Sequence, residues 1–256
     1  MLAMVDILPA LAPLLCDPGS HAPIRCENGA LLHRDGQPVA MRRGIPSLAA
    51  HPPLRHRLWA WVYNRVAFGY DPGVRFGWRF AWGGAPIRRE AYLSKIHIPP
   101  GAYVLETAVG TGENILRLPG HAEYIGMDIS INMLTRCQRR LTHANRPAAL
   151  VHADMHALPF RDNAFDMVYH MGGLQFVDDP ALAVREMTRA AKPGATITLV
   201  DEAYSIRRLA RRQPGGRSEP RGTAALDGLI PPEGADPHFE LISEGELYFL
   251  SFTKSP

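Results

Sequence analysis

The chain has 256 residues, 46% hydrophobic and 21% charged, with a formal net charge of +3 at pH 7. That length can bury a substantial core in one large domain with a small appendage, and the composition is globular rather than disordered or fibrous. The small net charge argues against a nucleic-acid partner, and the three cysteines (Cys16, Cys26, Cys137) are too few for a disulfide framework.

The cysteines fit a reducing cytoplasm, and no apolar run reaches membrane-spanning length. The apolar opening from Met1 to Leu15 lacks a basic leader and a small-residue cleavage site. A soluble cytoplasmic protein is expected. Composition sets no oligomeric state.

Residues 1–50 read as a small β-rich unit. Pro9, Pro13, Pro18, Pro23, Pro38 and Pro46 forbid a long helix. Asn28-Gly29 and Asp35-Gly36 signal hairpins between short apolar runs near Ile24, Leu31 and Val39. Cys16, His21, Cys26 and His33 are the residues from which a tetrahedral metal site could be built, but their spacing is irregular, and no metal is expected.

Residues 51–100 read as a helical lid or linker. Leu58, Trp61, Val62 and Val66 recur at helical spacing between Leu54 and Phe68, Tyr70-Asp71-Pro72-Gly73 ends that run, and a second helix is expected over 86–93. Aromatics concentrated between Trp59 and Trp82 either wall an apolar pocket or pack the lid onto the domain below.

From residue 101 to 256 the pattern is strand alternating with helix. Strands are predicted over 103–105, 124–127, 148–152, 165–170 and 195–200. Helices are predicted over 113–118, 131–143 and 181–191. Such alternation implies a parallel sheet with both faces covered. A Gly-, Pro- and Arg-rich stretch follows. Its basic run, Arg207 to Arg221, either meets an anionic partner or stays solvated. Runs over 239–242 and 247–252 then read as an antiparallel hairpin.

The chemistry concentrates where the first two strands of this unit end. Val104-Leu105-Glu106 runs into Ala108-Val109-Gly110-Thr111-Gly112, and Tyr124-Ile125-Gly126-Met127 ends in Asp128. Glycines at a strand–helix turn permit conformations that a Cβ forbids and let a ligand approach the backbone. An acid ending the second strand can accept from both ribose hydroxyls. Glu106 is placed to accept from an ammonium group. Asp154, after the third strand, can accept an adenine amino group, with Met133 and Met155 flanking the ring. Asn114 and Ile129 adjoin this set. These features point to S-adenosylmethionine. Ile115, at the third-glycine position of a dinucleotide fingerprint, argues against a nicotinamide cofactor. Structural alternatives stand beside each: Asp128 or Ser130 as cap of the 131–143 helix, and Asp154 as a solvated loop acid.

Together, Glu106-Thr107-Ala108-Val109-Gly110-Thr111-Gly112, Asp154 to Phe160, Asn163-Ala164-Phe165-Asp166 and Ala191-Lys192-Pro193-Gly194 resemble the class I S-adenosylmethionine-dependent methyltransferases. The branch they resemble contains the ubiquinone and menaquinone C-methyltransferases. The chain departs from the family at Ala108, which stands at the first glycine of the loop. The resemblance spans roughly residues 101 to 202 plus the final hairpin. It implies a Rossmann-like, doubly wound α/β fold: a mostly parallel seven-stranded sheet closed by a C-terminal antiparallel hairpin, with the N-terminal unit as a degenerate zinc ribbon.

The resemblance also implies transfer of a methyl group to a small natural-product, quinone-like or lipid-like acceptor. Ribosomal RNA methylation and a cofactor-binding homologue that does not methylate are the alternatives. Tyr70 resembles the tyrosine that ends the lid helix of the quinone branch and approaches the cofactor's amino acid end. His170, at the end of the fourth strand, is the candidate base or acceptor-positioning residue, or else a hydrogen-bonded histidine lining the cofactor. Gln175 follows on the next turn as a cofactor contact or an ordinary capping residue.

Overall fold

A computed structural model describes residues 4–49, 89–203 and 228–256. The helix expected over 54–68, the start of the one expected over 86–93, Tyr70, the aromatic-rich stretch and the basic run from Arg207 lie outside the described residues.

The chain opens with helix α1 (Met4–Leu11), which the proline count did not predict. Pro9 lies inside it, and the helix is only 8 residues long. It forms because Leu8 and Leu11, exposed by 3% and 2%, pack into the main core. Leu8, Leu11, Ala12 and Leu15 are therefore core. Next come hairpin β1 (Arg25–Glu27) to β2 (Ala30–Leu32) and hairpin β3 (Met41–Arg42) to β4 (Ile45–Pro46). Asn28 and Gly29 take φ of 50° and 75°, as a tight primed turn needs. Arg43 and Gly44 repeat this with 53° and 79°, in a turn whose first residue carries no such sequence signal.

After the short helix α2 (Glu90–Leu93) the alternation begins: β5 (Tyr103–Thr107), β6 (Glu123–Asp128), α3 (Ile131–His143), β7 (Ala149–His152), β8 (Phe165–Met171), α4 (Pro180–Ala190) and β9 (Ala191–Glu202). The hairpin β10 (Gly234–Ile242) to β11 (Leu247–Lys254) completes one seven-stranded sheet, in the order β10-β11-β9-β8-β5-β6-β7. The pairs among β5 to β9 are parallel, and β11 runs antiparallel to both its neighbours. The Ser130 side chain caps α3 by accepting from Met133 N, and Asp179 caps α4 by accepting from Leu182 N.

Two expected features differ. Residues 113–118 form consecutive turns, not a helix. Pro119 follows at once and disfavours helical backbone at Leu118. The turn expected at Pro193-Gly194 is absorbed into β9, which pairs Ala191 with Phe165 and then shifts register before Thr196 meets Met167. Gly194, at φ 77°, accommodates that irregularity.

The N-terminal unit shares the core of the sheet. Leu15, Ile24, Leu31, Val39 and Leu48 are buried in one cluster with Leu105, Met127, Val151 and Phe160. It also covers the free edge of β7. Ser47 bridges His152, Leu48 N donates to His152 O at 2.9 Å, and the Ser47 hydroxyl meets His152 Nδ1 at 2.7 Å. Its candidate metal ligands do not converge: among the described residues no group of three or more His, Cys, Asp or Glu side chains could hold a metal ion. Cys16 is buried, with its thiol pushed up to about 11 by desolvation, and His33 turns to Asp17 at 3.3 Å. No helix of the described residues is long and apolar enough to cross a membrane.

Candidate cofactor site

The parallel strands deliver their acids to one edge. Glu106 lies near the carboxyl end of β5, Asp128 ends the adjacent β6, Asp154 follows β7, and His170 and Met171 end β8. In an open α/β sheet that edge is where ligands bind.

The loop leaving β5 is shaped by three residues with positive φ: Ala108 (55°), Gly110 (55°) and Gly112 (78°). A Cβ on Gly112 would stand 2.7 Å from Cys137 Sγ of α3, so glycine is required by packing as well as by conformation. Ala108 holds the same left-handed region with a methyl attached, which carries strain of about 1 kcal/mol.

Asp128 anchors this loop. Its Oδ2 accepts from Gly110 N at 2.9 Å and its Oδ1 from Ser130 N at 2.8 Å. Burial raises its pKa to about 6, against the lowering effect of the Ser130, Gly110 and Ile129 amides. Capping of α3 falls to Ser130, so the acid is free of that duty. Ile129 is half-buried beside it and accepts from His152 Nε2 at 3.1 Å.

Glu106 heads a buried polar network. Tyr169 donates to its Oε2 at 2.6 Å and Asn114 Nδ2 to its Oε1 at 2.7 Å. Asn114 Oδ1 in turn accepts from Tyr92 at 2.9 Å and from Arg89 Nη1 at 3.1 Å. These partners fix the Asn114 amide: two donors demand its oxygen on one side, and the carboxylate demands its nitrogen on the other. Burial raises the Glu106 pKa to about 7, moderated by the Tyr169 and Asn114 hydrogen bonds and the Arg89 charge. Asn114 therefore serves Glu106, with its amide committed to protein partners. Arg89, Tyr92 and Tyr169 were not among the sequence candidates. The one signal was an acid inside an apolar strand, which must find partners when buried.

On the third strand's side, Asp154 Oδ1 accepts from His156 N at 2.9 Å and contacts His156 Nδ1 at 2.8 Å. His156 Nε2 accepts from Asp179 N at 3.3 Å, so Nδ1 carries the proton and donates to the acid. Asp154 is thus buried and oriented, where a solvated loop acid was the alternative. Met133 and Met155 are buried, exposed by 3% and 8%.

His170 lies near the end of β8, where the sequence reading puts it. Side chains alternate along β8. Tyr169 meets Glu106 on one face, while His170 turns to the opposite face, with Nδ1 3.0 Å from the Thr107 hydroxyl. That hydroxyl lies 3.8 Å from Met187 Sδ of α4. His170 is 1% exposed, burial lowers its pKa to about 4, and among the described residues its Nε2 has no hydrogen-bond partner. After β8, Gly172 and Gly173 (φ 74° and 100°) lead into a turn at Leu174–Phe176 that carries Gln175. The Gln175 side chain, like Tyr70, lies outside the described residues.

The donors and acceptors suit an aminoacyl nucleoside: Asp128 for a diol, Asp154 for an exocyclic amine, Glu106 for an ammonium group, and a glycine-bearing loop between the first two. Residues 105–199 match the methyltransferase domain family. A demethylmenaquinone methyltransferase of Staphylococcus haemolyticus is 35% identical over 144 residues, 55% of this chain and 59% of that protein. Another, of Lactiplantibacillus plantarum, is 36% identical over 149 residues, 55% of this chain and 60% of that one. The chain thus spans about three fifths of the length of these relatives. Among solved structures, the cyclase SpnF superposes with a TM-score of 0.57 at 16% identity, covering 81% of this chain and 99% of that one. A structure from echinomycin biosynthesis gives 0.54 at 21% identity, covering 77% and 93%. These two likenesses show a shared fold.

Proposed function

We propose that this chain, whose residues 105–199 are a methyltransferase domain with S-adenosylmethionine as the implied cofactor, transfers a methyl group to a small, apolar, quinone-like acceptor. The observation that carries the reading is the clasp at the ends of β5 and β6. There, two buried acids flank a left-handed loop, and one of them holds that loop by a backbone amide. Because one fold hosts different chemistries, the proposal rests on this site and not on the superpositions.

In this reading Asp128 holds the ribose, Asp154 the adenine amino group under Met133 and Met155, and Glu106 the ammonium end. Gly110, Gly112, Ala108 and Ile129 form the wall between them. Bound there, the cofactor supplies an electrophilic sulfonium methyl. What the protein contributes is alignment along the carboxyl edge and exclusion of water. His170 is assigned a positioning role: through Thr107 it fixes the end of β5 beside the loop. Its ring is buried and turned to the face opposite Tyr169 and Glu106, so the reading gives it no proton transfer. Tyr70 and Gln175 remain proposed cofactor contacts. The N-terminal unit is read as a zinc-ribbon-like module held by apolar packing.

The quinone-like class follows from the two relatives, which are named for demethylmenaquinone. The test incubates the intact chain with methyl-labelled S-adenosylmethionine and a reduced naphthoquinone, and follows S-adenosylhomocysteine together with label in the organic phase. Labelled naphthoquinol supports the assignment. Cofactor binding without label in this acceptor overturns the acceptor class.

A further inference from the structure

The clasp between β5 and β6 has a counterpart between β8 and β9. Asp128 follows Met127, the strand partner of Thr107, and accepts from the amide three residues beyond Thr107, that of Gly110. Asp201 follows Val200, the strand partner of Met171, and its Oδ2 accepts at 2.8 Å from the amide three residues beyond Met171, that of Leu174. Both loops turn through left-handed residues, Ala108 and Gly110 in one, Gly172 and Gly173 in the other. A Cβ on Gly172 or Gly173 would meet no described atom within 4 Å, so conformation alone calls for glycine there.

Asp201 is committed to this turn. It is 3% exposed, and its Oδ1 accepts from Glu202 N at 2.8 Å. Burial pushes its pKa up to about 6, against the lowering effect of the Glu202, Leu174 and Gly173 amides. A buried carboxylate is unfavourable unless hydrogen bonds satisfy it, and here the donors belong to its own strand end and to the turn. Leu174 is fully buried in one cluster with Leu199, and Gly172 N donates to Val200 O at 2.9 Å. The far end of the segment is held separately. The Asp179 side chain accepts from Leu182 N at the start of α4, and Asp179 N donates to His156 Nε2. Residues 172–179 are thus strung between two fixed points, and Asp201 supplies the first.

The place of this turn gives the second clasp a task. β5, β6 and β7 bring Glu106, Asp128 and Asp154, the acids read above as cofactor ligands, to the carboxyl edge. β8 and β9 lie on the other side of β5 in the same sheet, and their ends form the next part of that edge. In-line transfer requires the acceptor beside the cofactor there, held to within about 1 Å. We infer that Asp201 is a positioning residue for methyl transfer: it fixes the turn after β8 as a rigid wall for the acceptor, independently of the cofactor clasp at Asp128. The inference rests on the function proposed above and deepens it.

Asp201→Ala and Asp201→Asn in the full-length chain test it. Hydrogen–deuterium exchange over residues 172–179 is expected to quicken by about tenfold in the alanine variant, and less in the asparagine variant, which keeps one acceptor oxygen. Exchange over 108–112 stays as in wild type. Affinity for S-adenosylhomocysteine stays within about threefold, while kcat for methyl transfer to the reduced naphthoquinone falls by about tenfold or more and is partly restored in Asp201→Asn. A merely structural role would quicken exchange in both loops together and lower kcat only through loss of folded protein. That result overturns the inference. So does unchanged exchange over 172–179, a kcat equal to that of wild type, or a cofactor affinity that falls as far as kcat. If Asp201→Ala does not fold, Asp201→Asn decides by the same readings. A wild-type protein that binds S-adenosylhomocysteine but labels no naphthoquinol overturns the acceptor class alone, and the exchange pattern then decides for or against Asp201. A wild-type protein that binds no S-adenosylhomocysteine overturns the cofactor assignment, and this inference with it.

Discussion

Asp128 Oδ2 accepts a hydrogen bond from the Gly110 amide at 2.9 Å, tying the end of β6 to the loop that leaves β5. The same carboxylate accepts from Ser130 N at 2.8 Å, so one buried acid holds both sides of the proposed clasp. Asp128→Ala would leave these amides without an acceptor, at a cost of about 1–3 kcal/mol. Asp128→Asn keeps an oxygen for one side. The expected outcome is a fall in thermal midpoint for the alanine variant and a smaller fall for the asparagine variant, read by circular dichroism. Equal midpoints for the two would remove the anchoring role.

Ala108 sits at φ 55°, a conformation that suits glycine better than any residue with a Cβ. Ala108→Gly relieves about 1 kcal/mol of strain against about 0.4–1 kcal/mol of entropy that glycine adds to the unfolded chain, so a small gain in stability of about 0.5 kcal/mol or less is expected. Urea titration measures it, and a loss of stability would show that the alanine methyl makes contacts outweighing the strain.

Glu106 and Asp128 both have folded-state pKa values raised by burial, to about 7 and about 6, above ordinary carboxylate values. The native state therefore holds protons that the unfolded chain has released. Stability of the ligand-free protein should fall as pH rises from about 4.5 to 7, and Glu106→Gln should flatten that slope. Ligand binding has the opposite sign. An ammonium group and ribose hydroxyls favour the ionised acids, so affinity for S-adenosylhomocysteine should rise between pH 6 and 8 with proton release. Calorimetry in two buffers of different ionisation enthalpy detects it. An affinity independent of pH over that range would contradict the proposed contacts.

His170 is 1% exposed and neutral, with Nδ1 bonded to Thr107. His170→Asn offers Thr107 a similar partner and should lower stability by about 1–2 kcal/mol while leaving turnover within about tenfold of wild type. The decisive reading is the pH–rate profile. A profile unchanged in shape fits a positioning residue, whereas loss of an ionisation in the variant would restore the histidine as a base.

The N-terminal unit contributes Leu15, Ile24 and Leu48 to the main core and covers the edge of β7. A chain beginning at residue 50 is expected to aggregate or fail to fold cooperatively, as an uncovered edge strand and an open apolar face both predict. Its thermal midpoint in the intact chain should not change with a chelator or with added zinc. A chelator-induced drop of several degrees would reveal a metal that the described side chains do not gather.

The readability of the sequence followed the range of the interactions involved. Helix α3 was legible to the residue because Ser130 is a local cap and its apolar positions recur at helical spacing. The hairpin at Asn28-Gly29 was legible from its turn residues, whereas its counterpart at Arg43-Gly44 was not, because an arginine forced into φ 53° has no local signature. Helix α1 was hidden by Pro9, since tertiary burial of Leu8 and Leu11 overrides propensity. At the site, Glu106, Asp128 and the glycines stood out as polar or flexible residues ending apolar strands. Their partners did not. Tyr169 meets Glu106 only through the pairing of β5 with β8, and Arg89 only through the packing of α2 against the loop, neither of which is written in adjacent residues. The facing of His170 was decided by strand alternation counted from Tyr169.

The most direct measurement is a calorimetric titration of the intact protein with S-adenosylhomocysteine, beside the same titration of Asp128→Asn at matched fold content. Saturable one-to-one binding by the wild-type protein, weakened at least about tenfold by the substitution, is the predicted result. No binding by the wild-type protein, or equal affinity in the two, would contradict the account.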